Sequence, residues 1–359
     1  MGQEQLFNVA DYARAARVTL PKEVCDYYEG GALDEITLRE NVSGWEKLKL
    51  YYRVLAGVGP RELGTTVLGH SISTPIAIAP TAFHKLACPE GEIAAAKAAK
   101  ATGTLFILSS LSNTAMEAVF AQAASPRWFQ LYIYKEREIT RALVQRAEAA
   151  GAEAIVLTVD APGLGTRERD SRNRFTLPKD LTVENLTPLG KGNLPEASGS
   201  GLAAYVRDNF KSDFGFEDFD WLSGCTRLPI VVKGVCRADD ARRVADHGAK
   251  AIVVSNHGGR QLDTAPATCE VLPFVVDAVG DRCEVYVDGG IRRGCDVLKA
   301  IALGARAVLI GRPILWGLCV DGEKGALQVL EIVRRELDEA MLLCGCTTLG
   351  DIGRWLFSG

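Results

Sequence analysis

The chain has 359 residues, of which 47% are hydrophobic and 24% are charged, and its formal net charge is −4. This ordinary globular composition allows a large core, and the weakly acidic balance gives no general attraction to nucleic acid or to an anionic membrane. No run approaches the roughly 18 apolar residues of a transmembrane helix, so neither nucleic acid nor a membrane is expected as a partner.

The first part of the chain, residues 1–70, is predicted to form a helical extension outside the main repeat. Its opening segment, "MGQEQLFNVADYARAARVTLP" (1–21), is typical of a short amphipathic helix and lacks the basic and then apolar pattern of a signal peptide. Short apolar runs follow, each ending in turn residues, at 75–80, 104–110, 128–134, 154–160, 229–234, 251–256, 285–290 and 307–312. Their Val, Ile and Leu residues do not alternate with polar ones, which is typical of strands buried on both faces.

Helical patterns separate these strands, for example at 91–103, 138–152, 238–249 and 294–305. Strands that alternate with helices predict a parallel sheet, and eight such runs favour a closed (β/α)8 barrel, the TIM barrel of the α/β class. A doubly wound open sheet is the alternative. Because α/β barrels of this length are often undivided, we expect one domain, 1–359, with the barrel at 71–345.

The connection between the fourth and fifth strands, residues 161–220, is far longer than the others and is rich in Gly, Pro, Asn and Asp. A connection of this length is usually a functional lid or a flexible segment. We therefore expect a long lid loop after the fourth strand.

The ten cysteines are scattered singly, apart from Cys344 and Cys346. This spread favours free thiols in a reducing compartment over a disulfide framework, and hence an intracellular location, cytoplasmic or peroxisomal. No metal site is expected, because neither a second cysteine pair nor a nearby histidine completes a set of ligands around this pair.

Polar and glycine residues stand where the predicted strands end. In a barrel of this class, reactive groups gather at the carboxyl ends of the strands. The residues at those ends are Pro80, Thr81, Ala82, Ser109, Gln130, Tyr132, Thr158, Asp160, Lys233, Ser255, His257, Asp288, Gly290, Gly311 and Arg312. Such side chains on every strand predict a functional site at this end of the barrel.

The sixth run delivers a histidine and an arginine on one short turn, in "VVSNHGGRQLD" (253–263). A lone histidine is usually a hydrogen-bonded core residue, and that interpretation of His257 stays open. However, Arg260 follows at once, and Gly258 and Gly259 let the backbone approach a ligand closely. A base beside a carboxylate-binding arginine suits a 2-hydroxy or 2-oxo acid.

Lys233 and Asp160 each have more than one interpretation. Lys233 could form a structural ion pair with Asp160 or Asp288, act as a Schiff-base lysine, or stabilise negative charge on a bound ring. Asp160 could cap the following loop or hold an imidazolium. The glycines and arginines of the last two strands are similar to the phosphate cup of many barrels, namely Gly289, Gly290, Arg292, Gly311 and Arg312.

Several stretches together carry a family resemblance. They include "LPKEVCDYYEGGA" (20–32), "WFQLYIYKER" (128–137), "LTVDAPGLGTRERDSRNRF" (157–175), "SNHGGRQLD" (255–263) and "VDGGIRRG" (287–294). In this order the chain resembles the FMN-dependent 2-hydroxy acid oxidases and dehydrogenases, which include glycolate oxidase, lactate oxidase and long-chain 2-hydroxy acid oxidases. The resemblance implies bound FMN, a small L-2-hydroxy acid that is oxidised to the 2-oxo acid, dioxygen that is reduced to hydrogen peroxide, and a homotetramer or higher homo-oligomer.

The resemblance also implies roles for the catalytic and substrate-binding residues. His257 is expected to be the base, with Asp160 as its partner, and Lys233 is expected beside the flavin N1–C2 carbonyl edge. The residues expected to hold the substrate are Tyr27 and Arg260 at its carboxylate, Arg167 as a second cation from the lid, and Tyr132 near its hydroxyl.

A further set of residues is expected to bind the cofactor. The isoalloxazine ring would be lined by the backbone of Pro80, Thr81 and Ala82 and by Ser109, Gln130 and Thr158. The ribityl phosphate would be held by Asp288, Gly290, Arg292, Gly311 and Arg312. Ser255 is also expected to bind the cofactor.

One position departs from the glycolate oxidase pattern. Leu111 follows "LSS" where glycolate oxidases carry tryptophan, so we expect a roomier pocket and a preference for lactate or a longer aliphatic 2-hydroxy acid. The alternatives are that Leu111 is a core residue, that the enzyme is a glycolate oxidase, or that a quinone or a protein is its electron acceptor. A Schiff-base aldolase that uses Lys233 is the alternative from another class.

Overall fold

The computed structural model describes residues 6–358. The chain begins with three helices, α1 (Val9–Thr19), α2 (Lys22–Glu29) and α3 (Ile36–Lys47). An antiparallel hairpin then follows, formed by β1 (Thr65–Val67) and β2 (His70–Ile72). The predicted helical extension is therefore only partly helical, because it ends in an irregular segment and this hairpin. Residues 1–5 lie outside the described residues.

Eight parallel strands close into a barrel, which confirms the predicted TIM barrel and shows that the open sheet is wrong. They are β3 (Ile76–Ile78), β4 (Phe106–Ser109), β5 (Arg127–Leu131), β6 (Ile155–Thr158), β7 (Ile230–Val235), β8 (Ala251–Val254), β9 (Glu284–Val287) and β10 (Ala307–Ile310). Strand β10 pairs with both β3 and β9, so the barrel has no free edge.

Helices surround the barrel and fill the connections. In chain order they are α4 (Glu92–Thr102), α5 (Met116–Phe120), α6 (Arg137–Ala149), α7 (Glu168–Arg172), α8 (Gly201–Asn209), α9 (Phe216–Ser223), α10 (Ala238–Asp246), α11 (Thr268–Val279), α12 (Gly294–Ala302) and α13 (Arg312–Cys344). Helix α13 is interrupted at Asp321 and Gly322, whose backbone angles are not helical. Within residues 6–358, the structure contains no helix with the length and apolar character needed to cross a membrane.

The long connection after β6 is not a structureless loop. It contains α7, α8 and α9, and a bridge between Tyr134 and Phe210 ties it to the segment after β5. The sequence predicted the position of this lid but not its helices.

Two apolar layers stabilise the barrel and leave one end open. Alternate strand residues point inward and pack with Val67 and Ile72 of the hairpin, so the hairpin closes the amino-terminal end of the barrel. The other strand residues pack outward against the helices. All ten cysteines are free thiols, and no cluster of three or more potential metal ligands occurs within residues 6–358.

Candidate active site

A cavity of about 1110 Å³, counted to its open mouth, lies at the carboxyl end of the barrel strands. The predicted site residues that line it are Tyr27, Pro80, Thr81, Ala82, Ser109, Leu111, Tyr132, Arg167, Lys233, His257, Arg260, Asp288, Gly290, Arg292, Gly311 and Arg312. Four others, Gln130, Thr158, Asp160 and Ser255, lie behind this wall and are hydrogen-bonded into it. The structure therefore brings together every predicted catalytic, substrate-binding and cofactor-binding residue.

The turn after β8 presents His257 through a strained backbone. His257 has a φ of 56°, and Gly258 and Gly259 continue in the same left-handed region at 65° and 75°. This region is unfavourable for a residue with a Cβ atom, so the surroundings must hold it in place. Asn256 does so, because its Oδ1 accepts a hydrogen bond from the Gly259 backbone at 3.1 Å and its amide pairs with Asn41 at 2.8 Å.

His257 is oriented by a carboxylate. Its Nδ1 lies 2.8 Å from Oδ1 of Asp160, and within the described residues its Nε2 has no hydrogen-bond partner. Burial lowers the pKa of His257, although Asp160 acts in the opposite direction. Burial opposes ionisation of Asp160, but the charge and hydrogen bond of His257 together lower the pKa of this carboxyl group. A neutral imidazole with a free Nε2 can accept a proton from a ligand in the cavity.

Lys233 forms a buried ion pair on the floor of the cavity. Its Nζ lies 3.1 Å from Oδ2 of Asp288 and donates to Oγ of Ser255 at 3.0 Å. Burial alone would lower the pKa of Lys233, but Asp288 and Asp160 together raise it. The side chain is therefore a stable ammonium ion, which disfavours a Schiff-base role because that role needs the neutral amine.

A row of polar side chains crosses three neighbouring strands below the cavity wall. The Ser109 hydroxyl donates to Oε1 of Gln130 at 3.1 Å, and Nε2 of Gln130 donates to Oγ1 of Thr158 at 3.0 Å. All three residues are buried, so their hydrogen bonds satisfy one another and fix the orientation of the Gln130 amide.

Four guanidinium groups line the cavity, from Arg167, Arg260, Arg292 and Arg312. Arg312 donates to the carbonyl oxygens of Tyr28, Gly258 and Gly30, which carry no net charge. Its pKa is well below the usual range because of burial and of the nearby Arg260 and Arg292. Burial also lowers the pKa of Arg292 and of Arg167, each to about 10.

This arginine cluster fits bound anions. Among the described residues, the only carboxylate within 4.0 Å of any of the four guanidinium groups is Asp170, which lies at that distance from Arg167. Buried cations that lack carboxylate partners are costly and favour an anionic ligand. Two glycines of the cavity wall pack closely against the protein: a Cβ atom on Gly290 would lie 2.0 Å from the Asn41 carbonyl oxygen, and one on Gly311 would lie 3.1 Å from Cγ2 of Thr81. The site therefore suits a phosphate and a carboxylate.

Aromatic and apolar side chains complete the cavity. Tyr27 stacks on Phe175 with 4.1 Å between ring centroids, and Tyr132 stacks on Phe210 at 4.6 Å. Burial raises the pKa of Tyr132, so its phenol stays protonated. Leu111 is buried and lines the cavity, and its backbone N–H donates to Oγ of Ser109 at 3.2 Å.

Some residues that line the cavity were not found from the sequence. They are Tyr28, Ala79, Ala161, Leu164, Leu202, Val206, Phe210, Gln261, Ile291, Leu309, Ile310 and Leu315. Leu202 and Val206 lie one turn apart on α8, and this spacing could have identified an apolar helix face. Gln261 follows Arg260 directly, and its Nε2 donates to the Asp160 carbonyl at 2.7 Å.

The fold and the cavity define a class of protein, a TIM barrel whose open end combines a histidine–aspartate pair, a buried lysine and an arginine cluster suited to anions. The sequence matches the FMN-dependent dehydrogenase family over residues 16–358, and the chain belongs to this family.

Three relatives illustrate the breadth of the similarity. An L-lactate oxidase from Nostoc sp. is 50% identical over 350 residues, which are 96% of each chain. A glycolate oxidase from Oryza sativa subsp. indica is 48% identical over 98% of this chain and 96% of its own length. The crystal structure of a mandelate oxidase with (S)-4-hydroxymandelic acid superposes with a TM-score of 0.93 at 41% identity, covering 97% of this chain and 98% of that one. The predicted family, FMN as the cofactor and oxidation of 2-hydroxy acids as the reaction class are confirmed.

Proposed function

We propose that this protein oxidises L-lactate or a longer aliphatic L-2-hydroxy acid to the 2-oxo acid, with dioxygen as the final acceptor and hydrogen peroxide as the second product. One observation carries the proposal: the free Nε2 of His257 shares a cavity with Arg260 and Arg167, while Leu111 contributes an aliphatic wall. The base, the carboxylate anchor and the side-chain pocket of a 2-hydroxy acid oxidase are thus available in one space.

The cofactor would be held at its phosphate and at its ring. Arg292 and Arg312, with the backbone at Gly290 and Gly311, would bind the phosphate of FMN. The ring would lie against the residues after β3 and above the polar row that includes Ser109. Bound FMN supplies the acceptor for the hydride equivalent that the substrate loses. Lys233, kept protonated by Asp288, supplies a fixed positive charge beside it.

The substrate would be oriented by charges and by a base. Arg260 would bind the carboxylate together with the Tyr27 hydroxyl, and Arg167 would add a second cation from the lid. Tyr132, a protonated phenol, would hydrogen-bond near the substrate hydroxyl. His257 would accept the substrate proton on Nε2, and Asp160 would stabilise the resulting imidazolium at Nδ1.

The preference for an alkyl substituent rests on Leu111. A leucine leaves more space than a tryptophan would, and Leu202 and Val206 of α8 also line the cavity. Each methylene that the substrate buries contributes about 0.8 kcal/mol, or roughly fourfold in kcat/KM. The alternative, glycolate oxidation, is supported by the 48% identity to a glycolate oxidase.

We also propose a homotetramer or higher homo-oligomer in a reducing compartment, cytoplasmic or peroxisomal. Apolar side chains that stay exposed in the single chain support the assembly, among them Tyr52, Val54, Leu55 and Leu343. The ten free thiols support the compartment. Light scattering on a sizing column measures the assembly directly.

Substrate preference is tested by steady-state kinetics on glycolate, L-lactate, L-2-hydroxybutyrate and L-2-hydroxyhexanoate, with peroxide measured in parallel. We expect the wild type to favour L-lactate or a longer acid over glycolate and to release one peroxide per turnover. Leu111→Trp should fill the pocket and shift the ratio of kcat/KM values towards glycolate.

Two controls accompany this test. D-Lactate checks the handedness of the site, and the visible absorption of bound FMN checks that the variant remains intact. A wild type that prefers glycolate, or a ratio that Leu111→Trp leaves unchanged, would make Leu111 a core residue only. Turnover with a quinone but without formation of peroxide would show that the electron acceptor is a quinone and not dioxygen.

A further inference from the structure

A buried histidine lies directly behind the cavity wall, outside the set of residues discussed so far. His84 is 2% exposed and begins a short 3-10 turn, His84–Leu86, after β3. Its Nε2 lies 2.6 Å from Oγ1 of Thr81, which lines the cavity. Its Nδ1 is also buried and has no hydrogen-bond partner among the described residues. This arrangement determines which ring nitrogen carries the proton.

Burial lowers the pKa of His84 in spite of the nearby Glu92 and the Thr81 backbone, which favours the neutral imidazole. A neutral imidazole carries its proton on one nitrogen only. A proton on Nδ1 would leave a buried N–H without an acceptor, which is among the more costly defects in a protein interior. A proton on Nε2 instead donates to Thr81, and leaves only a lone pair on Nδ1 unpaired. The Nε2–H form is therefore favoured.

The carboxylate of Glu92 fixes the position of His84. Glu92 is fully buried and accepts hydrogen bonds from the backbone N–H of His84 at 3.1 Å, the backbone N–H of Asn113 at 2.9 Å and the hydroxyl of Thr114 at 2.8 Å. It thus ties the segment after β3 to the segment after β4. His84 cannot easily turn away from Thr81, because its own backbone is held at this junction.

The orientation of the Thr81 hydroxyl follows from that of His84. Since Oγ1 of Thr81 accepts the Nε2–H bond, the hydroxyl proton must point elsewhere, and within the described residues it has no protein acceptor. The methyl group of Thr81 lies 3.1 Å from the position that a Cβ atom on Gly311 would take, and Thr81 is among the residues that line the cavity. A donor at this position can serve only a ligand or solvent.

We propose that His84 is a positioning residue that makes the Thr81 hydroxyl a hydrogen-bond donor to bound FMN. The proposal depends on FMN binding by this family and not on the identity of the substrate. It assigns a role to a side chain that does not reach the cavity and adds a side-chain contact where only the backbone of Thr81 was expected to meet the cofactor.

The test compares five variants in the apo-protein reconstituted with FMN, one of which is the double variant Thr81→Val with His84→Leu. Thr81→Val removes the donor, His84→Leu removes the group that orients it, and His84→Gln keeps an N–H near the position of Nε2. Two quantities are measured, the dissociation constant of FMN from the quenching of its fluorescence and the visible absorption spectrum of the bound flavin. Thr104→Val is the matched control, because the Thr104 hydroxyl is buried but donates to the Ile76 carbonyl at the start of the strands.

We expect Thr81→Val and His84→Leu each to weaken FMN binding roughly two- to tenfold, the effect of one neutral hydrogen bond, and to shift the flavin spectrum in the same way. The double variant should bind no more weakly than Thr81→Val alone, because both changes remove the same interaction. His84→Gln should stay within about twofold of the wild type, and Thr104→Val should change neither quantity.

Three results would overturn the proposal. They are additive losses in the double variant, weak binding by His84→Gln equal to that of His84→Leu, and an unchanged dissociation constant in Thr81→Val. If His84→Leu does not fold, the first two comparisons are lost. An unchanged dissociation constant in Thr81→Val, or binding by His84→Gln as weak as that of Thr81→Val, then overturns the proposal. A purely structural role for His84 would lower the melting temperature without moving the flavin spectrum.

Discussion

At the scale of single residues, His257 shows why a functional side chain can require an unfavourable backbone. Its left-handed conformation aims the ring across the cavity mouth, where Asp160 at 2.8 Å holds Nδ1 and leaves Nε2 for the substrate. Hydrogen bonds from the backbone of the turn to the side chains of Asn256 and Ser255 offset the cost of this conformation. The geometry therefore assigns the acceptance of the substrate proton to the His257 side chain. This side chain can be replaced without disturbing the arginine cluster.

We predict that His257→Gln loses turnover while it keeps FMN. Loss of a general base costs on the order of a hundredfold to ten-thousandfold in rate. Because burial lowers the pKa of His257 below its usual value, a larger fraction of the base is neutral at a given acidic pH than for a free imidazole, and the acidic decline of kcat/KM of the wild type should be displaced to lower pH. The pH profile of kcat/KM tests both statements, since the variant should lack this acidic decline.

The control for this substitution is the flavin spectrum, which should match that of the wild type. A loss of activity smaller than about tenfold, or an acidic decline that persists in the variant, would assign the base to another residue.

At the scale of elements, the sequence predicted the barrel and its reactive strand ends because both follow from local patterns. Buried strands produce apolar runs, and the residues after them, such as Lys233 and His257, stand out by their charge. The hairpin β1–β2 was missed because its short strands mix polar and apolar residues and so form no apolar run. The apolar wall of α8 was missed because Leu202 and Val206 look like core residues until the lid is folded over the cavity. The bond between His84 and Thr81 depends on a turn whose geometry local patterns do not specify.

The turn after β8 also carries a prediction at this scale. A Cβ atom on Gly259 would lie 2.6 Å from the backbone nitrogen and Cα of Leu38 in α3, and the φ of 75° is unfavourable for alanine. Gly259→Ala should therefore move the turn, which carries both His257 and Arg260. We expect a loss of stability above the roughly 1–2 kcal/mol of a left-handed alanine alone, together with a reduced kcat/KM.

Gly248→Ala is the matched control, because Gly248 has a φ of 91° but no atom within 4 Å of the added methyl group. Gly248→Ala should lose only the part of the unfolding free energy that the left-handed backbone costs an alanine, and it should keep full activity. Equal losses of unfolding free energy in the two variants, measured in denaturant, would show that the contact with α3 does not constrain the turn.

At the scale of the whole molecule, the two ends of the barrel have different tasks. The amino-terminal end is closed by the hairpin, whose Val67 and Ile72 pack into the barrel interior. The carboxyl end holds the charges, which include a buried ion pair at Lys233 and four guanidinium groups with few carboxylate partners. Without an anion, those groups oppose the compact state, so the stability of the fold is coupled to its cofactor.

We predict that removal of FMN lowers the melting temperature and that inorganic phosphate restores part of the loss. A ligand that binds only the folded state at 100 times its dissociation constant adds about 2.7 kcal/mol to the unfolding free energy. Phosphate should reproduce the part that comes from Arg292 and Arg312, whereas sodium chloride at equal ionic strength should not, because chloride lacks the geometry for several guanidinium contacts. Scanning calorimetry of holo-protein and apo-protein, each with phosphate or chloride, measures the effect, and absorbance should give one FMN per chain. An apo-protein as stable as the holo-protein, or equal rescue by both salts, would show that the arginine cluster is already satisfied within the fold.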